Sequence, residues 1–316
     1  MWKKAVLIVA IALAASLPLF TGSYFLSVFN TIFVFMSLSL TWDMMLRTGQ
    51  LSYGTAGLFG LGAYTSALLV AKLGWNPFLS IAMGGLFAGA VAFLLGFAVL
   101  RLRAIYFSIT SLALTTVFSV VIRNLPKLTG GASGTVLPSA LSHGDPAKNY
   151  WIILGLTLGV IAVSQWLTKS KTHYAINAIR NDEIAAKSSG IDVFKSLLFV
   201  FVITSAIQGV IGAFYAQQYA FVQPEATFSM NFLLLPLAMA LVGGVYSTIG
   251  PVVGAILLGL VSEYLKLIMP YGHLIVYGVI IVLVVLFMPQ GITRPILRWL
   301  NRKTSVGGVN SASIGN

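Results

Sequence analysis

Five charged side chains, Arg180, Asp182, Glu183, Lys187 and Asp192, fall within thirteen positions of a chain in which only 8% of residues are charged. The segment that holds them, 175–194, reads AINAIRNDEIAAKSSGIDVF: a short helix, a glycine break at Gly190 and the start of a second helix. This is docking chemistry. Glu183 precedes Lys187 by four residues, the order and spacing of an ion pair that supports a helix by about 0.2–0.5 kcal/mol. Gly190 suits a C-terminal cap that needs positive φ, and Ile176, Ile179 and Ile184 add apolar surface.

Catalysis finds little to work with. An enzyme needs positioned acids, bases or nucleophiles, and the sequence holds seven carboxylates, three histidines and no cysteine. Without cysteine there are no disulfides, thiol nucleophiles or thiolate metal sites. His143, His173 and His273 are far apart and share no HxxxH ligand spacing, so each reads as a loop or interfacial histidine. We therefore expect no catalytic residue, metal ligand or cofactor in this chain. Carboxylates at mid-membrane would mark ion or proton coupling, but Asp43 and Glu263 stand near span ends, with Arg47 four and Lys266 three residues on. Asp43 and Arg47 are spaced for an interfacial ion pair. No GxxxxGK[ST] phosphate loop is present, so energy comes from another subunit or transport is passive.

These residues must be positioned by membrane helices. The sequence is 58% hydrophobic with a mean hydropathy of +0.94, whereas soluble domains are about 45–50% apolar. Ten runs approach the roughly 17–25 residues needed to cross a bilayer: 5–20, 24–42, 51–71, 78–100, 104–122, 150–167, 196–216, 231–246, 249–269 and 273–287. They are continuously apolar, which excludes the alternation of a β-barrel. The fold class expected is an all-α polytopic membrane protein with both termini in the cytoplasm. That orientation places fourteen Lys and Arg inside and five outside, as the positive-inside rule requires. The net charge of +12 is spread over short loops and implies no nucleic-acid partner. A cleaved signal peptide over 1–20 is the alternative for the first run. The domain expected is 1–292, with an internal loop at 168–195 and an external loop at 123–149; the small, polar tail 293–316 is expected to be disordered.

Residues 49–71 crowd Gly49, Gly54, Gly57, Gly60 and Gly62 at one membrane edge. Two readings stand: close helix packing through small residues, or a broken or re-entrant helix lining a pathway. Tyr53-Gly-Thr-Ala-Gly57 also echoes Tyr246-Ser-Thr-Ile-Gly250, which suggests a parallel internal repeat against a background of chance similarity. Candidate pathway residues are Tyr53, Gly54, Thr55, Gly57 and Tyr64 here, with Tyr106, Ser108 and Thr110 at the start of the fifth span. Interfacial tyrosines and threonines bonded to their own helix explain the same residues one at a time.

The segment EIAAKSSG, with Glu183, Ala185, Ala186 and Gly190, resembles the EAA-type motif of ABC-importer permeases. AIRNDEIAAKSSGIDV is similar to the corresponding loop of the LivM-type permeases of branched-chain amino-acid transporters. GLFGLGAYTSALL at 57–69, LRAIYFSITSLAL at 102–114, TGGASG at 129–134 and the region 237–265 resemble further stretches of that family. Ile184 departs from a strict motif, which has alanine there.

The resemblance implies a permease subunit of the bacterial inner membrane, paired with a second, LivH-type permease. It also implies two cytoplasmic ATPase subunits, an external solute-binding protein, and an ATPase-coupling role for Arg180, Asp182, Glu183, Ala185, Ala186 and Gly190. The solute implied is a branched-chain amino acid, with urea, amides or other small solutes as the alternative. A self-sufficient secondary carrier and an intramembrane enzyme are the competing classes.

Overall fold

The computed structural model describes residues 14–18, 20–102, 105–138, 141, 145–269, 272, 275–276, 278–279, 282–283, 286 and 291–293. Eight helices among them are long and apolar enough to cross a membrane. They are α1 (Ser23–Leu46), α2 (Thr55–Leu73), α3 (Pro77–Val99), α4 (Ile105–Arg123), α5 (Pro146–Lys169), α8 (Val193–Tyr219), α9 (Asn231–Gly243, extended by the helical turn Pro224–Thr227) and α10 (Ile249–Ile268). Two short helices, α6 (Lys171–Asn181) and α7 (Glu183–Ser188), join α5 to α8. Eight of the ten expected spans thus coincide with helices; most of 5–20 and of 273–287 lies outside the described residues, as do His143, His273 and the tail from 294.

Local sequence sets where the helices begin. At α3 the Asn76 side chain accepts a hydrogen bond from the Phe78 N–H at 2.9 Å, and Pro77 occupies the first helical position. Asp145 caps α5 in the same way, accepting from the Ala147 N–H at 3.0 Å ahead of Pro146. A side-chain acceptor satisfies an orphan N–H, and proline needs none.

Helix α1 gathers no separate polar face and sits inside the bundle, against α5, α8, α9 and α10. A helix without a polar face belongs in such a position. Helices α2, α3 and α8 form the tightest group. A Cβ on Gly62 would stand 2.1 Å from the Gly209 carbonyl oxygen, and one on Gly212 would strike the Phe59 backbone. Small residues let backbones approach closely where lipid supplies no hydrophobic drive. Polar side chains then clamp the contacts: Gln217 donates to Ser66 at 2.8 Å and Ser80 at 3.1 Å, and Gln208 to Thr41 at 3.2 Å.

The glycine-rich helix is therefore neither broken nor re-entrant, contrary to that expectation. Helix α2 runs unbroken over 19 residues, about 28 Å at 1.5 Å per residue, enough to span. Its glycines face neighbouring elements, and only the approach 47–54 is non-helical. The internal loop also differs in detail: its first helix is split at Asp182. The external loop 123–149 carries the helical turn Pro126–Thr129 and strand β1 (Thr135–Val136), which pairs antiparallel with β2 (Phe221–Val222). Thr293, the first residue of the expected tail, is buried and donates to the Gly243 carbonyl, while the Ile292 N–H donates to Val242.

The loops segregate to two ends. Residues 47–50, 164–195, 243–248 and 291–293 meet at one; Lys72, Lys127, Arg123, Glu225 and the β pair meet at the other. Gly62→Val should destabilise the chain by about 1–3 kcal/mol through overpacking. Gly159→Ala on α5, where a Cβ meets nothing within 4 Å, should be neutral or stabilise by up to about 1 kcal/mol. Thermal unfolding of the two variants in detergent checks both.

Candidate coupling site

The end that gathers 164–195 is built on one buried ion pair. The Arg47 guanidinium lies 2.7 Å from the Asp43 carboxylate, with both side chains almost fully buried. Arg47 also donates through Nη1 to Thr168 at 2.7 Å and through Nη2 to Ser164 at 3.2 Å. The Ser164 hydroxyl shares a 2.9 Å hydrogen bond with Thr248, and the second Asp43 oxygen accepts the Tyr246 N–H at 2.6 Å. Helices α1 and α5 and the α9–α10 turn are thereby joined. The expected ion pair forms, and it is buried within the protein because three elements close over it.

Tyr246 links this network to the short helices. Its backbone is left-handed, with φ of 64°, a conformation that costs a non-glycine residue about 1–2 kcal/mol. The Asp43 carboxylate holds its N–H, and the Arg180 guanidinium lies over its ring at 4.4 Å. A cation over a tyrosine face contributes about 0.5–2 kcal/mol. Arg180 thus faces inward, from the last turn of α6.

Helix α7 is defined at both ends. Asp182 accepts from the Ile184 and Ala185 N–H groups at 2.8 and 3.0 Å. This cap is what breaks the expected single helix, since Asp182 is extended with φ of −156°. At the far end Gly190, with φ of +80°, donates to the Lys187 carbonyl, and the Ile191 N–H reaches back to Ala186. That pair of bonds is a Schellman cap. Glu183 and Lys187 pair at 2.9 Å, as their spacing predicts.

The segment has two faces. Ile176, Ile179 and Ala186 are buried, whereas Tyr174, Ile184 and Ala185 are exposed, Ile184 to 77%. Beside α7 lies a groove of about 280 Å³ that includes Gln50, Arg101, Glu183, Lys187 and Phe194 in its lining. At the start of α8, Asp192 accepts from the Lys195 N–H at 3.0 Å, which holds its carboxyl below the usual range. Burial, then the charges of Arg47 and Arg180, lowers the pKa of His173.

The expected pathway residues do not form one cluster. The Tyr53 N–H donates to Ser111 at 2.9 Å, and Ser108 donates to the Leu51 carbonyl at 2.7 Å. Gly54 and Gly57 give close passage to Ser111 and Thr115 of α4. Thr55 is buried beside them, and Tyr53 lines a cavity of about 140 Å³. Tyr64 is buried farther along α2, stacked on Phe228 at 6.0 Å. Tyr106 is exposed and Thr110 half-buried on α4. Among the described residues no three of His, Cys, Asp and Glu come together as a metal site.

Residues 5–285 match the family described as "Branched-chain amino acid transport system / permease component". This chain belongs to that family. The permease is 29% identical over 95% of its length to the high-affinity branched-chain amino acid transport system permease protein LivM of Escherichia coli K12, covering 77% of that protein. It is 25% identical over 84% of its length to a probable branched-chain amino acid transport permease protein LivH of Methanocaldococcus jannaschii, covering 90% of it. It is 23% identical over 79% of its length to the L-arabinose ABC transporter permease protein AraH of Azospirillum brasilense, covering 81%. No solved structure matches.

Sequence reasoning paired Asp43 with Arg47 near a span end and did not connect them with Ser164, Thr248 or Arg180. The signal for the pair was its i,i+4 spacing; the remaining partners are more than 100 residues away in sequence.

In this permease Arg47→Met should cost about 3–5 kcal/mol, since it leaves Asp43 buried and unpaired. Asp43→Leu/Arg47→Met should recover much of that loss, as read by thermal unfolding. The lowered pKa of His173 means that the fold favours the neutral ring. Its contribution is full above the ordinary value of 6.5 and is lost as pH falls below it. Melting temperature should drop from pH 7.5 to pH 5.5, and His173→Gln should flatten that drop.

Proposed function

We propose that this permease moves branched-chain amino acids inward across a bacterial cytoplasmic membrane, driven by two ATPase subunits and supplied by an external binding protein. A LivH-type permease is its membrane partner. The chain itself performs no catalysis and holds no cofactor. Its sequence has no phosphate loop of its own, so ATP must act from outside it.

The observation that carries this reading is the two-faced segment α6–α7. One face exposes Tyr174, Ile184 and Ala185, an apolar patch suited to a groove on an ATPase. The other passes through Arg180 to Tyr246 and from there to the Asp43–Arg47 network. Movement of the patch would be felt by α1, α5 and the α9–α10 turn together. Glu183 and Asp182 keep α7 helical, and Gly190 aims the chain into α8. The non-helical approach with Tyr53 and the neighbouring Ser108 and Thr110 flanks the translocation route in this reading, together with the Tyr64 and Tyr106 helices. Coupling works only if ATPase closure favours one of two helix arrangements over the other.

Reconstituted with its partners, the permease should import leucine, isoleucine and valine in preference to urea, acetamide and L-arabinose. Gly190→Val places a β-branched residue at positive φ, at a cost of about 1–2 kcal/mol, and Glu183→Lys reverses the pair with Lys187. Each should cut uptake and substrate-stimulated ATP hydrolysis by about tenfold or more while the protein still inserts. Undiminished activity in both variants refutes the coupling role; uptake of arabinose or urea in place of leucine refutes the substrate.

A further inference from the structure

At the end of the bundle opposite α7 lies a cavity of about 590 Å³ between α1, α8, α9 and α10, within the range of small-molecule sites. One wall is apolar, with Val34, Phe35, Phe232 and Leu235. Its aromatic rings are packed together: Phe232 stacks on Phe35 at 5.7 Å and meets Tyr215 edge-on at 5.2 Å. The opposite wall is charged. Glu263 and Lys266, three residues apart on α10, form an ion pair that lines the cavity.

Gln218 also lines it, and its side-chain oxygen is buried without a hydrogen-bond partner among the described residues. A buried acceptor left unpaired is costly and calls for an explanation. Ionisable residues at a membrane protein's cavity mark solute routes. None of the expected pathway residues lines this cavity.

We propose that this cavity is the permease's own amino-acid site. The inference rests on the proposed transport function and names the residues that would receive the solute. An α-carboxylate takes Lys266, and the α-ammonium takes Glu263 and the Gln218 oxygen. The solute thus substitutes for the two partners of a half-exposed ion pair, whose own attraction is weak in contact with water. The aliphatic side chain lies on Phe232, Phe35 and Leu235. Because the pair is neutral overall, the site selects a zwitterion over a net cation or anion of the same size. A neutral amide or sugar can hydrogen-bond to the pair but offers neither partner an opposite charge.

The test uses the complete transporter in nanodiscs, without the binding protein, and photo-leucine as probe. Cross-links mapped by mass spectrometry should fall on peptides containing Tyr215, Gln218 or Phe232, and excess leucine should suppress them. Isocaproate, which lacks the ammonium, and isoamylamine, which lacks the carboxylate, should compete poorly. Glu263→Gln and Lys266→Met should each reduce labelling by about tenfold or more, the usual scale for losing a charged hydrogen bond. Leucine-suppressible labelling elsewhere, or labelling that both variants leave intact, overturns the site even where the wild-type transporter imports leucine. Failure of the wild type to import leucine overturns the proposed substrate and this site together; import with no label in the cavity overturns the site alone.

Discussion

Burying an ion pair within a membrane helix bundle is the constraint around which the described structure is arranged. Asp43 lies in the last turn of α1 and Arg47 caps its end, so their mutual contact needs no tertiary structure. Their remaining hydrogen-bonding capacity does. A buried guanidinium with unsatisfied donors is expensive, and here Thr168 and Ser164 accept from it while Tyr246 donates to its carboxylate partner. Helix α5 and the α9–α10 turn are therefore tied to α1 at one depth. Tyr246 in turn keeps a left-handed backbone because Asp43 and Arg180 both hold it. The short helices that expose Ile184 are attached to the bundle through this same residue.

The remainder of the fold solves the complementary problem, which is adhesion between apolar helices without water to drive it. Helices α2, α3 and α8 meet through glycine and alanine and are pinned by Gln217, while Gln208 ties α8 to α1. Helices α9 and α10 repeat the device, with a Cβ on Gly254 falling 1.9 Å from the Met239 carbonyl oxygen. The two tightly packed groups are joined through α1, the Arg47 network and the stacking of Phe59 on Phe232. This division suits a transporter, whose helices must shift as units and still satisfy their buried polar groups in each arrangement.

Much of this was legible because the bilayer is a demanding solvent. A run of apolar residues must be a helix, since every backbone group in lipid has to be satisfied within its own segment. Eight spans follow from that requirement. The Asp182 cap, the Glu183–Lys187 pair and the Gly190 turn are likewise local: each involves residues at most a few positions apart. Even there the reading missed the break at Asp182, because a single aspartate can lie within a helix or cap one, and tertiary context selects. The glycines of α2 were ambiguous for the same reason. Glycine permits both an irregular backbone and a close contact, and only the position of Gly209 on α8 and Thr115 on α4 decides between them.

The sequence by itself determined that this chain is a bundle of membrane helices with one charged segment capped by Gly190, and it carried the motifs of its family. Hydrophobicity, helix capping and i,i+4 pairing act over short distances along the chain, so no fold was needed to see them. Only the tertiary structure decided that Asp43 and Arg47 are interior, that Arg180 faces Tyr246, and that Gln218, Glu263 and Lys266 share a cavity with Phe35 and Phe232. Those relations join residues up to more than 200 positions apart, and their energies exist only once packing has removed water and brought the helices together.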